Sequence, residues 1–134
     1  VRFVLMGDGS QRESLQAEAE GVACLTFAPP VDQADLADTL AAADILLINE
    51  RPSAADMSLP SKLTCYFRAG RPVIAASPAD GGTATEIARS AAGVVVGPGD
   101  PAALLAAALD LKTRPEAAHE MGVLGAVYSE HHLS

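Results

Sequence analysis

Tryptophan is absent from the 134-residue chain, and aromatic residues make up only 4% of it. A core without large rings must be built from small and branched aliphatic side chains, on helices and strands that pack closely. Cysteine is scarce too: Cys24 and Cys65 are the two present, too few for a disulfide framework, and no C-x-x-C occurs. The cytoplasm is the expected location. Basic residues are few, 9 Lys and Arg against 17 Asp and Glu, for a formal net charge of −8. A field of that sign repels phosphate backbones, which argues against nucleic acid and anionic membrane surfaces as partners. A small phosphorylated ligand stays compatible, because backbone dipoles at a helix start hold phosphate locally. The longest apolar runs, such as Ala102 to Leu109, fall far short of the roughly 20 residues that span a bilayer. No charged and apolar leader pattern opens the chain. Val1 stands directly inside a strand-like run, so the expectation is a piece of something longer.

What is present is a globular composition, 49% hydrophobic and 19% charged, at a length that fits one domain. Strand and helix patterns alternate throughout. Val1 to Met6 reads as a strand closed by Gly7-Asp8-Gly9, and Ser10 with Glu13 forms a capping box for a helix to about Glu20. Val22 to Phe27 is a second strand, stopped by Pro29-Pro30. A helix from Asp32 or Asp35 through Ala43 leads to a third strand, Asp44 to Ile48, whose unbroken apolar run predicts burial on both faces. Leu59 to Ala69 reads as helix, with Leu59, Leu63, Tyr66 and Phe67 on one face and Gly70 as its stop. Pro72 to Ala76 is a fourth strand. Thr83 to Glu86 reads as a second capping box, opening a helix to about Ala92. Gly93 to Val96 is a fifth strand, Asp100-Pro101 caps a helix to about Leu111, and a last helix from Arg114 is weakened by Gly122 and Gly125.

This alternation predicts an α/β fold, a doubly wound parallel sheet with helices on both faces. Such folds bind ligands at the carboxyl ends of their strands, which directs attention to the following loops. Gly7-x-Gly9 has the place of a dinucleotide fingerprint. Arg12, however, stands where the third Gly belongs, and no acid ends the second strand. A tight turn explains it better. Gly81 and Gly82, with Thr83, expose backbone amides before a helix start and suit a phosphate or sugar hydroxyl as well as a plain turn and cap. Ser58-Leu59-Pro60-Ser61-Lys62 preorganises another helix start. Opposite its apolar face, Ser61, Lys62 and Cys65 put a hydroxyl, a cation and a thiol beside free amides, a candidate diphosphate site; a solvated face is the blander alternative. Cys65 has no His or Asp neighbour in sequence, so a buried thiol is expected of it rather than a nucleophile. His119, His131 and His132 read as surface residues rather than metal ligands. No Walker A, G-x-S-x-G or H-E-x-x-H motif occurs, and no catalytic residue, metal site or cofactor is assigned.

Taken together, Phe3 to Gly9, Leu59-Pro60-Ser61-Lys62-Leu63, Ala69-Gly70-Arg71-Pro72-Val73-Ile74-Ala75, Gly81-Gly82 with Glu86, and Gly93 to Pro101 resemble the C-terminal, donor-binding half of retaining GT-B glycosyltransferases. The colanic-acid and O-antigen type is the nearest likeness. The resemblance covers nearly the whole chain, blocks in order, and implies a Rossmann-like domain over residues 1–134. It implies a nucleoside-diphosphate sugar as ligand, UDP- or GDP-linked, with transfer to a polysaccharide or lipid-linked acceptor. Under it, the backbone at Val31 meets the base, Ser58, Leu59, Ser61, Lys62 and Cys65 border the diphosphate and sugar, and Gly81, Gly82 and Thr83 line the far side.

The family's E-x7-E carboxylates fall on Met57 and Cys65, and Glu50 has the wrong spacing. The family's preceding first strand, with its Arg and Lys, and its N-terminal acceptor domain are both expected to be missing, so this chain alone is expected to transfer nothing. In the family order 3-2-1-4-5-6 the missing strand lies between those at 2–6 and 44–48. Direct pairing of these two, giving a 2-1-3-4-5 sheet, is the expectation, and a sheet without its central strand invites self-association. A non-catalytic nucleotide-binding module and a flavodoxin-like or NAD-binding domain are the alternatives.

Overall fold

The computed structural model describes residues 3–6, 25–28, 32–49, 61–98 and 100–132. The chain divides into two compact units, Val1–Thr39 and Leu40–Ser134. In the first, β1 (Phe3–Met6) and β2 (Leu25–Ala28) form a parallel pair, Phe3 opposite Leu25 and Met6 opposite Ala28. The capping box at Ser10 and its helix lie outside the described residues. After the second strand a 3₁₀ turn, Gln33–Asp35, leads into α1 (Leu36–Ala41). The Asp35 amide donates to the Asp32 carbonyl at 2.9 Å, and the Thr39 hydroxyl donates to the Asp35 carbonyl at 2.8 Å.

The second unit is built on a parallel sheet in the order β3-β4-β5, with strands Leu46–Asn49, Val73–Ala76 and Gly93–Val96. Between and after them run α2 (Ser61–Arg68), α3 (Gly82–Ser90), α4 (Pro101–Thr113) and α5 (Pro115–His132). Period-two alternation sends side chains to opposite faces, and both faces are covered. Leu46, Ile48, Val73 and Ala75 pack with Leu63 and Phe67 of α2 and Ile87 of α3. Ile74 packs with Ala108 and Leu111 of α4, joined by Ile45, Leu47 and Met121. The central strand β4 is buried along its whole length, the two-sided burial that an unbroken apolar run produces in a parallel sheet. Helices on both faces of a parallel sheet make this the Rossmann-like α/β architecture.

The described strands form two sheets, β1-β2 and β3-β4-β5, which corrects the expectation of a single sheet formed by direct pairing of the strands at 2–6 and 44–48. Pairing needs strands about 4.8 Å apart and in register.

The glycines of α5 also have a different meaning from the one expected. A Cβ on Gly122 would lie 2.1 Å from the Gly70 carbonyl oxygen, and one on Gly125 would lie 2.9 Å from the Ala92 Cβ. They lower helix propensity, but they let α5 approach the end of α2 and the start of β5 with its backbone. Gly70 itself stands at φ +73°, the left-handed stop after α2 that Gly adopts without steric cost.

Candidate functional site

The parallel register lines up Asn49, Ala76 and Val96 at the carboxyl edge of the second sheet. The segments leaving that edge lead to the starts of α2, α3 and α4, where helix dipoles present their positive ends. The starts of α3 and α4 differ in chemistry. The Asp100 carboxylate accepts from the Ala103 amide at 3.0 Å, and Pro101 occupies the first helical turn, so α4 is capped and carries its own anion. At α3 the capping position is Gly81, extended at φ −85° and ψ 169°, with no side-chain cap. The first amides of a helix have no partner inside it, and among the described residues no side chain caps those of α3. A helix start of this kind suits an anionic or hydroxyl-bearing ligand.

Thr83 does not act as the cap that its capping-box pattern predicts. The helix starts at Gly82, which moves Thr83 into the first turn, where it is 1% exposed and its hydroxyl has no hydrogen-bond partner among the described residues. The consecutive glycines let the chain enter helical geometry earlier than the pattern assumes. The Thr85 hydroxyl reaches back to the Gly81 carbonyl at 3.0 Å instead. Ser77, just beyond β4, extends the ladder by donating its amide to the Val96 carbonyl at 3.0 Å. Its hydroxyl is buried without a partner among the described residues as well; as an ordinary Ser after a strand, it carries no sequence signal.

Of the residues expected at the site, Gly81, Gly82 and Thr83 are together at the start of α3. Ser61 and Lys62 open α2, their side chains lying outside the described set. Val31, Ser58 and Leu59 also lie outside the described residues, as does Met57. Cys65 is half-buried rather than the buried thiol expected. Leu63 and Phe67 take the inward face of α2, which leaves Cys65 off it. Burial pushes the neighbouring Tyr66 phenol above its ordinary range, and Cys65 adds to that shift. Among the described residues no three His, Cys, Asp or Glu side chains converge as metal ligands.

One cluster was not legible in the sequence. The Tyr128 hydroxyl of α5 donates to Oε2 of Glu86 in α3, and Arg89 lies 3.8 Å from the other oxygen of the same carboxylate. The Tyr128 ring meets Phe67 of α2 edge-on, at 5.9 Å between centroids and 82° between planes. His132 lies against its other side at 4.8 Å. Only the rarity of aromatic residues could have drawn attention to Tyr128.

A parallel sheet covered on both faces defines a Rossmann-like α/β domain. Residues 1–114 match the glycosyl transferases group 1 family, and the chain belongs to that family. Solved structures share the fold. WaaG, a glycosyltransferase involved in lipopolysaccharide biosynthesis, is 21% identical with a TM-score of 0.74, over 97% of this chain and 34% of its own. Sucrose-phosphate synthase from Thermosynechococcus elongatus is 23% identical with a TM-score of 0.77, over 95% of this chain and 33% of its own. HepE of Anabaena, solved in complex with UDP-glucose, is 18% identical with a TM-score of 0.80, over 96% of this chain and 36% of its own. The chain thus spans about a third of the length of these structures. No curated protein matches it by sequence. Among the described residues no helix is long and apolar enough to cross a membrane.

Proposed function

We propose that this chain is the donor-binding half of a retaining glycosyltransferase and binds a UDP- or GDP-linked sugar at the carboxyl edge of its sheet. The observation that carries this reading is the uncapped start of α3, with Gly81 at the capping position, at the edge where α/β folds take ligands. Family membership supports a nucleotide sugar as the ligand class, and the UDP-glucose in the HepE complex is an example of it. Ser58, Leu59, Ser61, Lys62 and Cys65 border the diphosphate and sugar at the start of α2, Gly81, Gly82 and Thr83 line the far side, and the Val31 backbone meets the base. The positive ends of two helix dipoles and the Lys62 charge stabilise the negative charge that builds on the diphosphate as the sugar leaves.

The acceptor, a polysaccharide or lipid-linked glycan, belongs to an N-terminal domain of a longer cytoplasmic enzyme, and this chain alone transfers nothing. A thermal-shift scan against UDP, GDP, ADP, CDP and TDP, with NAD and FMN as controls, tests the donor site. A ligand at 100 times its dissociation constant adds about 2.7 kcal/mol of stability. One selective nucleoside diphosphate supports the reading, and a response to NAD or FMN alone replaces it with a dinucleotide or flavin site. A second reading, a non-catalytic nucleotide-binding module, is favoured by Met57 and Cys65 standing where the family carries two carboxylates. Nucleotide binding by the full-length protein without sugar transfer would decide for it.

A further inference from the structure

Glu86 and Phe67 sit on the two helices whose starts frame the candidate site, and one residue of a third helix holds both. Glu86 follows Gly82 by one helical turn, about 6 Å along α3, and Phe67 lies about 9 Å along α2 from Ser61. Tyr128 donates to the Glu86 carboxylate and seats its ring edge-on against Phe67, which is 0% exposed. The other partner of Glu86 is weak: the Arg89 side chain is 67% exposed and 3.8 Å away, whereas the Glu86 side chain is 17% exposed. An ion pair with one partner in water adds little, so the phenol is what fixes the largely buried carboxylate. The start of α3 depends on such tertiary contacts more than most, because Gly81 provides no side-chain cap and an uncapped helix end frays.

We infer that Tyr128 is a positioning residue of the donor site, holding the start of α3 in register with the start of α2 through its hydroxyl. This rests on the donor-site reading above. The hydroxyl adds almost no volume to the ring, so Tyr128→Phe keeps the packing on Phe67 and removes only the tether to α3.

The test combines amide hydrogen exchange with nucleotide affinity on the intact chain. The reporters are the amides of Thr85, which donates to the Gly81 carbonyl at 3.1 Å, and of Glu86 and Ile87. The Ile74 and Ala75 amides in the sheet serve as controls. In Tyr128→Phe the α3 reporters should exchange about tenfold faster while the controls keep their wild-type rates, and affinity for the selected nucleoside diphosphate should fall about fivefold, within the range of coupling between packed elements. Glu86→Leu should reproduce both effects, Glu86→Gln should rescue them by keeping an acceptor, and Tyr128→Phe with Glu86→Leu should be no worse than either alone. Wild-type exchange at the α3 reporters in Tyr128→Phe overturns the inference, as does unchanged nucleotide affinity. A wild-type chain that binds no nucleoside diphosphate overturns the donor-site reading and this role with it, a failure visible before any substitution is made.

Discussion

Gly122 of α5 and Gly70 at the end of α2 meet backbone to backbone: a Cβ on Gly122 would stand 2.1 Å from the Gly70 carbonyl oxygen and 2.7 Å from its carbonyl carbon. Real Cβ atoms do not approach that closely, so Gly122→Ala must push the helix off the domain. Helix propensity alone predicts the opposite sign, since replacing Gly by Ala within a helix gains about 1 kcal/mol. Overpacking costs about 1–3 kcal/mol and more where the obstacle is backbone, so a net loss is expected. Denaturant unfolding checks it: a lower midpoint for Gly122→Ala supports the close approach, and a higher one refutes it. Gly125→Ala, whose Cβ would meet the Ala92 side chain at 2.9 Å, should be destabilising by less.

The starts of α3 and α4 should respond in opposite ways to losing a side-chain oxygen. Asp100→Ala removes the acceptor of the Ala103 amide and should cost about 1 kcal/mol, the ordinary value of a cap. Thr83→Val removes a buried hydroxyl that has no partner among the described residues. An unsatisfied buried polar group costs about 1–3 kcal/mol, so the valine variant should be as stable as wild type or more so in the absence of ligand. Thermal unfolding of the two variants side by side reads the contrast. Marked destabilisation by Thr83→Val would show that the hydroxyl already has a partner.

Arg71 spans from the loop before β4 to the last residue of α1, donating Nε and Nη2 to the Ala41 carbonyl at 2.9 and 2.6 Å. A guanidinium fork on a helix-end carbonyl satisfies an orphan acceptor and opposes the negative end of the dipole. Arg71→Lys keeps the charge but not the fork. Arg71→Met should lose about 1–3 kcal/mol, as expected for a charge-assisted hydrogen bond, and Arg71→Lys an intermediate amount. Equal stability of the lysine variant and wild type would show that charge alone matters there.

Local patterns were readable where the residues that decide them are adjacent. Gly93–Val96 forms the strand that its branched run predicts, and Asp100 with Pro101 caps α4 as its dipeptide signals. The third strand is Leu46–Asn49, shifted from the expected Asp44–Ile48, because the apolar run marks which residues are buried rather than where the ladder begins. Long-range contacts override the local signal elsewhere. Glu86 has the spacing of a capping-box acid, yet it turns to Tyr128, 42 positions away. Gly122 and Gly125 look like flaws in a helix until the opposing backbone is in place. Sheet order depends on which strands come together, and no local pattern encodes that. At the site, the helix start after the glycine pair was readable in the sequence, whereas the buried Ser77 and Thr83 hydroxyls and the Tyr128–Glu86 hydrogen bond required the packed fold.

The two tyrosines of the chain, Tyr66 and Tyr128, give a spectroscopic test of that packing at high pH. The hydrogen bond to Glu86 is the main reason the Tyr128 phenol is held above its ordinary value of 10.0, with burial and the Glu86 charge adding to it and Arg89 opposing. Tyr66 is raised chiefly by burial, then by Cys65. In both, the fold favours the neutral phenol. The stability each contributes is therefore complete below the unfolded pKa of about 10 and is lost as pH climbs through the higher folded value. Phenolate absorbance followed by stopped-flow pH jump, before unfolding sets in, should show both residues ionising later than free tyrosine. Tyr128→Phe should leave one transition, that of Tyr66. Glu86→Leu should bring the Tyr128 transition down toward the ordinary range while Tyr66, raised by burial and Cys65, stays up; Glu86→Gln, which keeps an acceptor and loses only the charge, should lower it by less. Two transitions at the value of free tyrosine would mean that neither phenol is held as the packing of α2, α3 and α5 requires.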